Sequence, residues 1–328
     1  MLDLAQHLEA WRLRPEYRAF DPDDVLEPDV LAAITFGEGP RPPRDLRCIR
    51  VPLRPLVGGG LAQVWTGSGP PRLGQTGLVR HAEDGSHLMG WLEVDEAAYG
   101  GLAEAAEAAY GALLGFHRVS RYRHPWRIWN FISDINGGTG DDERYKLFSL
   151  GRARAFAAAA AGSPGLGFPA ATAVGTLDGR RCLLVCWLAG TEPGHAIENP
   201  RQLSAYRYPR QYGPAAPNFS RALMTPDGTL LVSGTASIVG HGSLHHGDVE
   251  AQLEETLRNL DAVESASFAR GWSGADRTRL LTVFLRRPMD APSVLRRLRE
   301  RYPPGSGIVV LDAAICRSEL LLEIEAIG

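Results

Sequence analysis

Between Asn199 and Gly240 the chain interleaves Arg201, Arg207, Arg210 and Arg221 with Tyr206, Tyr208, Tyr212 and Phe219. A guanidinium group is a planar fork that engages a carboxylate through two parallel hydrogen bonds, and aromatic faces hold both such forks and flat rings. The mixture suits a flat, doubly anionic small molecule. Near the other end of the sequence, Glu323 would face these groups from the apolar run Leu320-Leu321-Leu322-Glu323-Ile324. Desolvation in such a strand disfavours the ionised form of a carboxyl, which is the condition a proton donor needs near neutral pH. Glu325 stands two residues on and points to the same sheet face, so one of the two glutamates must be explained differently. A strand-end acid in a solvated ion pair is the alternative reading of Glu323.

Other residue clusters invite chemistry and do not sustain it. His241, His245 and His246 lie just ahead of a helix that Asp248 would cap, which makes them loop and hydrogen-bonding residues; no metal is expected there. The four cysteines Cys48, Cys182, Cys186 and Cys316 are too few and too irregular for a disulfide framework. Cys182 and Cys186 have CxxxC spacing, but no second pair or histidine cluster completes a zinc site, so buried packing is the expectation. The run Gly58-Gly59-Gly60 lacks the spacing and the lysine of a phosphate loop and reads as a flexible connection. No organic cofactor is implied.

At 328 residues, 44% hydrophobic and 22% charged, the chain is long enough for one large or two ordinary domains with a real core. A formal net charge of −3 argues against nucleic acid or an anionic membrane as the main partner, because neither is drawn to a mildly acidic surface. The first residues, MLDLAQHLEAWRLRPEYRAF, carry charges throughout, and no run approaches the ~18 apolar residues of a membrane span. A cytoplasmic protein is the expectation.

The elements that must position the candidates follow from periodicity and turn chemistry. Residues 1 to 50 mix a short helix near Leu4 to Leu13 with the proline-rich run from Gly39 to Arg44, read as extended chain wrapped over a domain. Leu78 to Ala82 and His87 to Val94 form a hairpin about Asp84-Gly85, followed by a helix over Asp95 to Leu114 and a strand over Trp126 to Ser133. A second helix runs from Asp141 to Ala161, with Asp141 and Asp142 in its first turn. Phe168 to Thr176 and Arg181 to Leu188 then read as a second hairpin about Asp178-Gly179.

The order recurs. Phe219 to Thr225 and Thr229 to Ile238 flank Pro226-Asp227-Gly228; a helix over Val249 to Val263 is capped by Asp248; a strand over Thr278 to Leu285, a helix over Pro292 to Tyr302, and strands over Gly307 to Ala313 and Glu319 to Ile327 complete it. Two ββαβαββ units in tandem predict an α/β (α+β) protein, divided as residues 1–190 with an N-terminal extension and residues 191–328, joined through Ala189 to Pro217. The seam between them is the expected place for a site.

On these residues the chain resembles known families at two levels. The C-terminal unit, above all ELLLEIEAIG, is similar to the YjgF/RidA family, whose fold is related to chorismate mutase and whose sites lie between neighbouring units. From about Arg50 to Gly328 the chain resembles the chorismatases, which release pyruvate from chorismate. The segments that carry the likeness are RYRHPWRIWNFISDIN, ERYKLFSLGRARAF, FPAATAVG, SAYRYPRQYGPAAPNFSRA and SGTASIVGH.

The resemblance implies that Glu323 is the general acid and that Cys316, seven positions earlier, marks the 3-hydroxybenzoate synthase-like branch. A hydrolytic branch giving a dihydroxycyclohexadiene carboxylate, and one giving both 3- and 4-hydroxybenzoate, are the alternatives. Substrate contacts are implied for Arg152, Tyr145, Arg207, Tyr212, Arg221, Ser233, Gly234 and Ala236, with Arg152, Arg207 and Arg221 as clamps for the two carboxylates of chorismate. Cys316 reads equally as a packing residue, and Arg152 as a solvent-facing one beside Arg154. From other classes, a ligand-sensing protein without turnover and an imine hydrolase of the RidA kind are rivals. The oligomeric state, monomer or trimer, is not readable.

Overall fold

The computed structural model describes residues 13–21, 24–38, 44–160, 168–274 and 279–328. The expected helix near Leu4 to Leu13 and most of the proline-rich run lie outside them. A four-stranded sheet comes first: β1 (Arg14–Ala19), β2 (Val30–Phe36), β3 (Cys48–Val51) and β5 (Leu61–Thr66), in the order β1-β5-β2-β3. β4 (Pro55–Val57) leaves this sheet for another, and Gly58 to Gly60 form the turn after it. The sequence reading has no strands here, because VLAAITF of β2 is a continuous apolar run with two alanines rather than an alternating strand.

The first repeat comprises β6 (Arg72–Thr76), β7 (Val79–Glu83), β8 (His87–Asp95), α1 (Leu102–Val119), β9 (His124–Ser133), α2 (Arg144–Ala160), β10 (Ala170–Thr176) and β11 (Cys182–Gly190). The second comprises β12 (His195–Ile197), β13 (Ala222–Met224), β14 (Leu230–Thr235), the small pair β15 (Ile238–Val239) and β16 (Gly242–Ser243), α3 (Val249–Phe268), β17 (Leu280–Leu285), α4 (Ala291–Arg301), β18 (Gly307–Asp312), β19 (Ala314–Ile315) and β20 (Leu322–Ile327). Each repeat builds a seven-stranded sheet, β19-β10-β9-β11-β8-β7-β6 and β12-β13-β14-β20-β17-β18-β4. The tandem ββαβαββ order is therefore present, with β19 of the second repeat added to the first sheet.

Helices cover the outer faces, and the inner faces share one core with the N-terminal sheet. On β9, Ile128 and Ile132 pack under α1 and α2 while Trp129 and Phe131 pack inward with Trp65, Phe284 and Ile327. On β20, Leu322, Ile324 and Ala326 pack under α3 and α4, so the alternation of a strand sends Glu323 and Glu325 to the inner face. No helix among the described residues is long and apolar enough to cross a membrane.

Three sequence expectations are corrected. The segment read as a second hairpin is not one, because β9 lies between β10 and β11, parallel to the former and antiparallel to the latter. Asp178-Gly179 reverses the chain without pairing the strands it joins, since the crossover through α2 delivers β10 to one side of β9 and leaves the other side for β11. The first helix starts later than Asp95, because Gly100 and Gly101 adopt φ of 85° and 146° and break the chain between a short 3-10 turn and α1. The second helix starts at Arg144, with Asp141 and Asp142 in a separate 3-10 turn.

What fixes α2 matters for the site. Arg144 donates to both oxygens of Glu96, at 2.9 and 2.5 Å, and from Nε to Ser133 O at 2.9 Å, pinning the helix start to the end of β9. At Gly151 a β-carbon would lie 1.9 Å from Ala103 O, so α1 and α2 approach more closely than any larger residue permits.

Candidate active site

A cavity of about 210 Å³ opens where β10 of the first sheet meets β14 and β20 of the second. Its chemistry comes from four places: Tyr145 and Arg152 on α2, Tyr208 and Tyr212 in the connection, Arg221 and Gly234 at β13 and β14, and Cys316, Arg317 and Glu323 at the end of the chain. The two sheets are tied together there. Ser233 Oγ accepts from Ala171 N at 2.8 Å and donates to Ser220 O at 2.6 Å, and Gly234 N donates to Thr172 Oγ1 at 3.1 Å. The β14 register slips between Val232 and Thr235, a bulge that turns the Ser233-Gly234 backbone toward β10.

Glu323 is 5% exposed and has one contact of hydrogen-bond type among the described residues, Cys316 Sγ at 4.0 Å from Oε2. Its burial, and secondarily the neighbouring Glu325 carboxylate, push its pKa up to about 8, against the opposing pull of Arg127 and Arg221. Glu323 is thus a carboxylic acid at neutral pH. The thiol of Cys316 is pushed up to about 12, chiefly by burial and then by Glu323, so it is neutral. Burial likewise raises the Tyr145 phenol, whose hydroxyl has no hydrogen-bond partner among the described residues.

Glu325 is the glutamate with a structural role. Its carboxylate takes bonds from Arg127, Trp129, Thr172 and Thr282, all buried. The two acids of EIEA therefore separate into one saturated by donors and one buried at the cavity beside a thiol.

Three arginines line the cavity, and none has a carboxylate within ion-pair distance among the described residues. Arg152 is 3% exposed, donates from Nη2 to Asn218 O at 2.7 Å, and sits over Tyr110 at 4.9 Å. Arg221 is 4% exposed and donates from Nη2 to Leu203 O and Tyr208 Oη, both at 2.8 Å. The Nε groups of both are buried without a hydrogen-bond partner among the described residues. Arg317 lies 4.0 Å from the centre of the Tyr212 ring and donates to His241 O at 2.9 Å and Ser243 Oγ at 3.0 Å. Such groups, desolvated and unpaired, are poised for an anion.

The sequence candidates divide accordingly. Glu323, Cys316, Arg152, Tyr145, Tyr212, Arg221, Gly234 and Ala236 line the cavity. Ser233 is fully buried beside it and joins the sheets. Arg207 does not line it: the 3-10 turn Ala205–Arg207 turns this side chain outward over the Tyr206 ring, exposed to solvent. Arg201 and Arg210 are spent on Glu255 and Asp141. Sequence reasoning missed Arg317 and Thr172, and named Tyr208 only within the run of interleaved aromatics, although Arg317 follows Cys316 directly and carries the same fork as the arginines it did select.

Residues 63–189 match the family described as chorismatase FkbO/Hyg5-like, N-terminal. A 3-hydroxybenzoate synthase of Streptomyces hygroscopicus is 37% identical over 280 residues, covering 81% of each chain. A chorismatase of Streptomyces rapamycinicus is 36% identical over 280 residues with the same coverage. The crystal structure of a chorismatase superposes with a TM-score of 0.82 at 28% identity, spanning 97% of this chain and 98% of that one.

Proposed function

This chain belongs to the chorismatase family, and from that premise we propose that it converts chorismate to 3-hydroxybenzoate and pyruvate, with Glu323 as the acid. The observation that carries the proposal is a buried carboxyl, its pKa pushed up to about 8 chiefly by that burial, in a cavity lined by three arginines that lack carboxylate partners among the described residues. Chorismate is a dianion, with one carboxylate on the ring and one on the enolpyruvyl group. Exposed ion pairs contribute at most about 1 kcal/mol, whereas forks held in a desolvated pocket bind and orient such a molecule far better.

Glu323 donates its proton to the vinyl carbon of the enolpyruvyl group. The side chain gains oxocarbenium character, and the bridging oxygen becomes a leaving group. As the C3–O bond breaks, the C4 hydroxyl oxygen closes on C3 and releases its own proton, which restores the Glu323 acid. Pyruvate departs with the bridging oxygen as its ketone. The resulting arene-oxide-like ring opens at C4, the C3 hydrogen is lost, and the phenol oxygen takes a proton to give 3-hydroxybenzoate. No water and no redox equivalent enters.

Water arriving at the ring instead would give the diene diol, so the wall around C3 and C4 decides the product. The neutral Cys316 thiol, 4.0 Å from Glu323, supports a dry wall at that point. The test is incubation with chorismate, chromatography against 3-hydroxybenzoate, 4-hydroxybenzoate and diene diol standards, and pyruvate measured through lactate dehydrogenase. Equal amounts of 3-hydroxybenzoate and pyruvate are expected; diene diol alone sinks the branch assignment, and retained chorismate sinks the activity.

A further inference from the structure

Two glutamates share the inner face of β20, and one of them is saturated. Glu325 accepts from Trp129 Nε1 at 3.1 Å and Thr282 Oγ1 at 2.8 Å on one oxygen, and from Thr172 Oγ1 at 2.7 Å and Arg127 Nη2 on the other. Two of these donors, the Trp129 indole and the Arg127 guanidinium, are N–H groups that cannot accept, one on each oxygen, and the guanidinium forms an ion pair with the carboxylate. The donors belong to β9, β10 and β17, and Thr282 continues to Tyr17 of β1 at 2.6 Å. One side chain thereby joins all three large sheets at a point two residues from Glu323. Glu325 does not line the cavity and so does not touch substrate.

We propose that Glu325 is a positioning residue for the reaction: its pinned negative charge, on the same strand face as Glu323, retains the Glu323 proton until substrate takes it. The inference rests on the reading of Glu323 as proton donor. At i and i+2 on a strand the two residues are about 7 Å apart along the backbone, within strong Coulombic reach in a dry interior. The charged groups facing Glu323 are Arg127 from β9, Arg221 before β13, Lys146 and Arg152 from α2 with Glu143 just ahead of it, and Arg317 and Glu319 from the loop before β20. The other titratable groups there are the Tyr145, Tyr208 and Tyr212 phenols and the Cys316 thiol. Against this cationic surround, burial and the Glu325 charge are what hold the carboxyl above its ordinary range.

The test is the pH profile of kcat for Glu325→Gln, followed by pyruvate release. Loss of the like charge is expected to move the alkaline limb down by about one pH unit, with KM below the limb changed less than about threefold, since no substrate contact is removed. If Glu325→Gln fails to fold, the double variant Arg127→Met/Glu325→Gln removes both charges and leaves none unpaired; its limb moves down by a smaller amount. A limb in the wild-type position with kcat lowered uniformly overturns the proposal and leaves Glu325 a purely structural tie. Glu323→Gln in the same assay separates the two readings. If it still releases pyruvate, the acid assignment falls; if it is inactive while the Glu325→Gln limb stays put, only the present inference falls.

Discussion

A β-carbon on residue 234 would stand 1.9 Å from Oε1 of Glu323, so the position of the acid in the cavity depends on the glycine across from it. The obstacle is the far end of a side chain, not backbone, and a methyl group at 234 therefore displaces the carboxyl rather than the sheet. Gly234→Ala is expected to fold with a melting temperature near wild type and to lose about 10- to 100-fold in kcat, the cost of an acid misplaced by an ångström or so. Steady-state pyruvate release and a thermal melt check both halves. An unchanged kcat would mean that the carboxyl is not held where it acts.

The raised pKa of Glu323 ties stability to pH. Its folded value of about 8 lies above the value of an unfolded glutamate, so between those two pH values the folded state binds one more proton than the unfolded chain. This group's contribution is therefore most favourable at low pH and declines as pH rises toward 8. Glu323→Gln does not titrate. Its melting temperature relative to wild type should climb between about pH 5 and 8, reaching a gain on the order of a few kcal/mol. Melts of both proteins across that range decide it, and parallel curves would contradict the buried acid. Activity follows the same sign: kcat is flat below neutrality and falls through pH 8.

Arginines inside and outside the cavity should separate cleanly. Arg152→Met and Arg317→Met each remove a fork without a carboxylate partner among the described residues, and KM for chorismate is expected to rise about 10- to 100-fold, as for loss of a charge-assisted pair. Arg207→Ala, at an exposed turn, should change KM less than about threefold. Equal effects at Arg207 and Arg152 would relocate the anion site.

The neutral thiol of Cys316 gives a further contrast. With its pKa at about 12, iodoacetamide at pH 8 should leave activity intact for far longer than at an ordinary exposed cysteine. Cys316→Ala removes the sulfur 4.0 Å from Glu323 and opens the wall to water. The diene diol fraction is expected to rise at the expense of 3-hydroxybenzoate, read by chromatography of the products. A wild-type product ratio in this variant would make Cys316 a packing residue.

Sequence alone determined the features that are local or periodic. The ββαβαββ order, the Asp84-Gly85 hairpin and the Asp248 cap follow from turn chemistry and apolar spacing, which act over a few residues. The placement of Glu323 and Glu325 on one face follows from the two-residue period of a strand. Tertiary structure alone decided which strands became neighbours, since Asp178-Gly179 makes the same local turn whether or not its strands pair, and only the path through α2 puts β9 between them. It also decided which arginine meets a ligand: Arg201, Arg207, Arg210 and Arg221 are chemically alike, and what distinguishes them is a partner or an exposure supplied by distant residues. The two glutamates make the same point. Their side chains are identical, and it is the donors brought from β9, β10 and β17 that saturate one while burial without such donors leaves its neighbour an acid.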